Sequence, residues 1–268
     1  METLHAIILG IVEGLTEFLP ISSTGHLILT AHLLGISGEG VEIFEVVIQA
    51  GALGAVAGLY RQRLIRMGKG VIGRNPAGLR LALNLFQSFW PVAVVGFLLH
   101  DWIKDRLFSV ETVAFALAIG AVVMLAVDRW QKQRPSDSER TLDTLGLWQA
   151  LFIGLVQCLS LWPGMSRAMV TLVAGMLVGL SAKEAAEYSF LLALPTLGAA
   201  TAFSLVTGME ELTQAVEPLA MICGFAAAAV VAAFAIRGLI RYLSSKGLGV
   251  FAWYRLGLAA LIWGFGAR

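Results

Sequence analysis

Residues 13–27 read EGLTEFLPISSTGHL. The flanks are apolar enough for a membrane, yet the stretch holds Glu13, Glu17 and His26 around Pro20. Four residues apart, Glu13 and Glu17 share one face of a helix. A solvated face is a poor account of them, because Ile11, Val12, Leu15, Phe18 and Leu19 surround them. Carboxylates at membrane depth are costly and usually functional. As a pair they suit a hard divalent cation, Mg²⁺ or Ca²⁺, or one of them could serve as a general base. Pro20 stops the helix, and Ser22, Ser23 or Thr24 can cap a new one whose first turn holds Gly25 and His26. The plain reading is a capped helix with a core histidine. Free backbone donors at a helix start, three hydroxyls and an imidazole also make a phosphate site.

Composition sets the class. The chain has 268 residues, 58% hydrophobic and 14% charged, with a mean hydropathy of +0.80. Soluble domains are nearer half apolar and about a quarter charged, so this reads as an all-α, polytopic integral membrane protein. A net charge of +1 gives no reason to expect nucleic acid. Cys158 and Cys223 lie in apolar stretches and read as buried small hydrophobes rather than a disulfide or metal pair. No Lys or Arg precedes the first apolar run, so the N-terminus is expected to belong to the mature fold rather than to a cleaved signal.

A bilayer span needs about 20 apolar residues. Six stretches meet or approach that: 42–60, 81–100, 110–128, 184–207, 218–240 and 250–266. Arg61, Arg63, Arg66, Lys69 and Arg74 follow the first; Arg129, Lys132, Arg134 and Arg140 follow the third; Arg237, Arg241 and Lys246 follow the fifth. The loop expected around 207–218 has glutamates and no Lys or Arg. The positive-inside rule then makes the three basic loops cytoplasmic and puts the start of the first span on the outer side.

Two apolar segments are broken instead, 5–35 at FLPISST and 147–180 at LWPGMSR. Each half is too short to cross, and a break at membrane depth is tolerated only inside protein or against a wet cavity. Sliding the sequence by 144 residues aligns the breaks: Gly10 with Gly154, Val12 with Val156, Leu15 with Leu159, Ser22 with Ser166, Gly35 with Gly179 and Ser37 with Ser181. This predicts an internal repeat, about 1–130 and about 145–268, within one membrane domain. One broken segment and three spans per half make it an inverted-topology repeat of six transmembrane helices plus two re-entrant broken-helix pairs.

In the second break Ser166 is the expected cap and Arg167 sits in the first turn, deep in an apolar stretch. Arginine suits phosphate oxygens. If the halves fold together, two helix starts, Arg167, His26 and the carboxylates converge into a phosphoryl-transfer constellation. Inverted repeats with broken helices also build transporters, so a lipid transporter is the competing class. Glu45 and Gln49 share a face of the following span and could line the same cavity, and Gln157 holds the repeat position of Glu13. His5, His32 and His100 read as packing or interfacial residues.

EGLTEFLPISSTGHL, followed by FEVVIQAGAL and then by WPGMSR, resembles the bacterial undecaprenyl diphosphate phosphatases associated with bacitracin resistance. The resemblance covers nearly the whole chain. It implies a multi-pass inner-membrane enzyme, its site open to the periplasmic side, that removes the terminal phosphate of a polyprenyl diphosphate and so recycles the carrier lipid of cell-wall polymers. It also implies a divalent cation on Glu13 and Glu17, with bacitracin competing for the substrate rather than binding the protein. The family's motifs fall on Glu13, Glu17, Ser22, Ser23, Thr24, His26, Ser166, Arg167 and Thr171, with Gln49 an added candidate for the phosphate. The second motif departs from the family's usual Ser-Arg-Ser-Gly at Ala168 and Met169. A polyprenyl-phosphate flippase, a different isoprenoid chain and a homodimer stay open at this point.

Overall fold

The computed structural model describes residues 1–107, 109–133 and 140–266. Arg134 and the side chain of His100 lie outside what it describes. The described chain is helical: α1 Thr3–Thr16, α2 Ser23–Leu34, α3 Glu39–Leu59, α4 Arg61–Val71, α5 Pro76–Leu98, α6 His100–Leu107, α7 Val110–Gln131, α8 Leu147–Gln157, α9 Arg167–Leu177, α10 Ala182–Ala215, α11 Pro218–Leu243 and α12 Gly249–Gly266. Five of these, α3, α5, α7, α10 and α11, are long and apolar enough to cross a bilayer. The sixth expected span, at 250–266, falls among the shorter apolar helices, with Gly249–Gly264 as its apolar stretch.

Both breaks have a local cause. Pro20 has no N–H for the Thr16 carbonyl, and it turns Leu19 away from helical geometry. The helix therefore ends early, with Glu17 as its C-cap and the Glu17 N–H on Glu13 O at 2.9 Å. That last turn keeps the two carboxylates on one face. In the second segment α8 passes into a short 3-10 turn, Cys158–Leu161, before Pro163. The chain then restarts at Ser166.

Two loops are more ordered than their sequence suggests. The basic stretch after α3 forms α4, with Leu64 and Met67 turned to the core and Arg61, Arg66 and Lys69 exposed. That pattern is an amphipathic interfacial helix. The acidic stretch expected to be an outer loop instead prolongs α10 to Ala215, because MEELTQA is rich in helix formers. Gly208, at φ −132° and ψ 25°, marks the kink where this extension begins.

Lipid and side chains are equally apolar, so membrane helices associate by close packing rather than by hydrophobic drive. Helix α1 lies along α11 and α8 along α5; α3 packs on α10 and α11, α10 also on α5, and α12 on α7. Glycine permits close crossings at equivalent positions of the two broken segments. A Cβ at Gly10 would strike the Gly224 carbonyl, and one at Gly154 the Ser88 carbonyl.

Candidate active site

Ser22 and Ser166 are the only non-glycine residues with positive φ among those described, at 72° and 69°. Each is an N-cap. The Ser22 hydroxyl accepts from Gly25 N at 3.4 Å, and the Ser166 hydroxyl accepts from Met169 N at 3.3 Å. A β-carbon in this conformation costs on the order of 1–3 kcal/mol. The same strained cap at positions 144 residues apart turns the chain sharply into α2 and α9, leaving the other first-turn N–H groups without intrahelical partners.

The two helix starts meet on one carboxylate. Ser23, the first residue of α2, donates from Oγ to Glu17 Oε2 at 2.5 Å. Arg167, the first residue of α9, donates from Nη2 to Glu17 Oε1 at 2.8 Å. Ser23 and Arg167 are themselves 144 residues apart, so equivalent positions of the two segments grip opposite oxygens of Glu17. All three side chains are buried, Arg167 at 9% exposure.

A closed hydrogen-bond circuit braces Arg167. Its Nη1 donates to Ser189 O at 2.9 Å and to Ser189 Oγ at 3.3 Å. Thr171 Oγ1 donates to Arg167 O at 2.8 Å and pairs with Ser189 Oγ at 2.6 Å. A carbonyl can only accept, so the Thr171 proton goes to Arg167 O and Thr171 accepts from Ser189. Thr171, a candidate for the phosphate, is fully buried in this structure, with its hydroxyl proton on Arg167 O.

Glu13 has the opposite surroundings. It is fully buried beside Glu17, and neither carboxylate oxygen accepts from a donor. A carboxylate left this way in protein calls for an explanation. Two free, hard oxygens are the donors a divalent cation takes, and Glu45 on α3 lies within electrostatic reach. Among the described residues no cluster of three or more acidic, His or Cys side chains surrounds them. Magnesium commonly binds through one or two carboxylates, with water and substrate phosphates as its other ligands. The residues present fit an ion held mainly by Glu13, since Glu17 already serves Ser23 and Arg167.

The histidine has a defined proton arrangement. His26 Nδ1 lies 2.7 Å from Ser22 O, so Nδ1 carries the proton and donates it. In the neutral ring Nε2 then bears the lone pair, which accepts from the Tyr254 hydroxyl at 2.7 Å. The two rings are nearly parallel, at 4° and 5.6 Å between centroids.

Thr24 and Gln49 are half-buried, and neither side chain has a hydrogen bond among the described residues. Ala168 and Met169, where the second motif departs from its family's pattern, are buried and packed rather than turned outward. Cys158 and Cys223 are both free thiols. Gln157 donates to Ser88 O at 3.1 Å, inside a buried polar network with Tyr188 and Asn84 between α5, α8 and α10. A mainly apolar groove of about 340 Å³ between Pro76 and Leu147 contains none of the candidate residues.

Sequence reading missed three residues that hold this site. Ser189 and Tyr254 are described above. The third, Arg255, is fully buried and donates to Pro20 O at 3.3 Å, Gly164 O at 3.0 Å, Ala116 O at 3.2 Å and Leu117 O at 3.2 Å. One guanidinium therefore ties a carbonyl of each break to α7. The signal available in sequence was a lone arginine in the middle of the apolar stretch 250–266.

The family described as bacitracin resistance protein BacA matches residues 6–261. An undecaprenyl-diphosphatase of Sorangium cellulosum is 47% identical over 258 residues, 96% of this chain and 84% of that protein. One from Maridesulfovibrio salexigens is 46% identical over 257 residues, covering 96% of each chain. One from Acinetobacter baumannii is 42% identical over 262 residues, 97% of this chain and 94% of that protein.

Proposed function

The chain belongs to the bacitracin resistance protein BacA family, and from that premise we propose that it releases the terminal phosphate of undecaprenyl diphosphate, leaving the lipid monophosphate. The observation that carries this reading is the meeting of Ser23 and Arg167 on Glu17. It gathers two helix starts, with their free N–H groups, and a permanent cation around one buried point, and such donors and charge are what hold a phosphoryl group.

In this reading the free N–H groups of α2 and α9, with Ser22, Thr24 and Ser166 beside them, orient the phosphate oxygens. Arg167 neutralises charge on the transferred group, and Ser189 with Thr171 keeps its guanidinium in place. His26 Nε2 supplies the lone pair. Acting as nucleophile, it bonds to the terminal phosphorus while the bridging P–O bond breaks toward the lipid monophosphate, and water then cleaves the N–P bond. Acting as base, it takes a proton from the water that attacks the same phosphorus. Glu13 would hold a divalent cation, Mg²⁺ or Ca²⁺, which when bound supplies positive charge against the diphosphate.

We place the protein in the bacterial inner membrane with the site open to the periplasm, on the strength of its basic loops. The inverted repeat is supported by packing that exchanges under the 144-residue shift. α1 on α11 becomes α8 on α5, α3 on α11 becomes α10 on α5, and α3 with α10 and α7 with α12 map onto themselves. On this reading α12 is the sixth span and the two broken segments are re-entrant.

The test is product analysis with purified protein in detergent, undecaprenyl diphosphate and Mg²⁺. Equal amounts of inorganic phosphate and lipid monophosphate are expected, with loss of both on chelation or in His26→Gln. Lipid movement in proteoliposomes that survives His26→Gln, without phosphate release by wild type, would favour a transporter.

A further inference from the structure

Tyr254 lies outside both broken segments, on α12, yet its hydroxyl touches the one nitrogen of His26 that can react. Its neighbour holds it in place. The next residue, Arg255, is pinned to carbonyls of both breaks and of α7, so α12 cannot turn about its axis without losing four hydrogen bonds. Tyr254 itself is 48% exposed, which puts its phenol at the open edge of an otherwise buried cluster.

The proton count gives this contact a consequence. Nδ1–H is committed to Ser22 O, so the Tyr254 hydroxyl occupies the only lone pair on the ring. Whether Nε2 bonds to phosphorus or takes a proton from water, that lone pair must be released first. At that moment the phenolic O–H becomes a free donor within hydrogen-bonding distance of where the phosphoryl group sits. A phosphoryl oxygen, gaining charge, is a better acceptor than a neutral imidazole.

We infer that Tyr254 is a further catalytic residue. It caps Nε2 of His26 in the resting site and transfers its hydrogen bond to a phosphoryl oxygen of the substrate as Nε2 engages. No covalent bond of the tyrosine changes; only the acceptor of its proton does. The inference rests on His26 as the reacting residue in the proposed phosphatase.

The experiment uses the full chain in detergent, as wild type, Tyr254→Phe and His26→Gln. Tyr254→Phe keeps the ring against the imidazole and removes only the donor. Its kcat for phosphate release from farnesyl diphosphate is expected to fall about tenfold to a hundredfold, with KM moving less than about threefold, as for loss of a donor acting mainly in the transition state. The second readout is independent of turnover: carbethoxylation of histidines by diethyl pyrocarbonate, followed by mass spectrometry. Uncapping Nε2 should speed modification of His26 about fivefold or more, on the scale of one hydrogen bond, while exposed His32 keeps its rate.

Loss of the hydroxyl from a tyrosine that only packs against the imidazole would not raise the reactivity of His26 alone. Wild-type kcat in Tyr254→Phe, or an unchanged His26 modification rate, overturns the inference while His26→Gln remains inactive. Wild-type activity in His26→Gln overturns the underlying reading of the histidine, and with it the inference.

Discussion

Arg167 Nη2 and Glu17 Oε1 lie 2.8 Å apart across 150 residues of sequence, and both side chains are buried. The pair joins the end of α1 to the start of α9, so it is the point where two interrupted helices become one site. Removing one partner of a buried ion pair typically costs about 3–5 kcal/mol, because the other charge is left stranded. Glu17→Gln should therefore lower the thermal midpoint in detergent as well as phosphate release. Glu17→Gln combined with Arg167→Met should regain much of that stability and none of the activity, which a paired melt and turnover assay would show.

Glu13 should behave oppositely. Its oxygens accept from no donor, so Glu13→Gln removes a buried carboxylate beside Glu17 without stranding a donor. The expected outcome is a thermal midpoint equal to or above wild type, together with activity that falls and no longer rises with added Mg²⁺. A marked drop in the midpoint, measured without added metal, would mean that Glu13 is structural.

Much of this site was legible because its chemistry is written where the helices stop. Proline, a cap and an unexpected charge within a few apolar residues mark each break, and Glu17, Ser22, Ser166 and Arg167 could be read from them. Ser189, Tyr254 and Arg255 could not. They sit within continuous helices, α10 and α12, where neighbouring residues carry no interruption, and only tertiary packing brings them to the breaks. Thr171 was readable as part of the motif, but its hydrogen bonds to Arg167 and Ser189 were not, because the direction of a hydroxyl proton depends on its partners. Helix α4 and the extension of α10 were hidden by a polar composition that suits loops and interfacial helices alike.

The strained caps make a ranked prediction. Glycine adopts the backbone of Ser22 without penalty and costs only a few tenths of a kcal/mol as a cap, whereas alanine keeps the strain and loses the cap. Ser22→Gly should be at least as stable as wild type, and Ser22→Ala less stable by about 1 kcal/mol. The same order is expected at Ser166, with chemical denaturation in mild detergent as the measurement.

Arg255 should resist even conservative replacement. Lysine keeps the charge but has no planar fork to reach carbonyls on three sides. Arg255→Lys and Arg255→Met should both lower the thermal midpoint and make both breaks, near Pro20 and Gly164, exchange amide protons faster. Hydrogen exchange confined to one break would show that the arginine does not couple them.

The most direct test of a site shared by both broken segments is inorganic phosphate release from undecaprenyl diphosphate, with Mg²⁺, by wild type and folded Arg167→Lys side by side. Lysine preserves the charge and discards the fork that spans Glu17 and Ser189, so kcat/KM should fall about a hundredfold or more from a readily measured wild-type rate. Release by Arg167→Lys within about twofold of wild type, or none from wild type itself, would contradict the account.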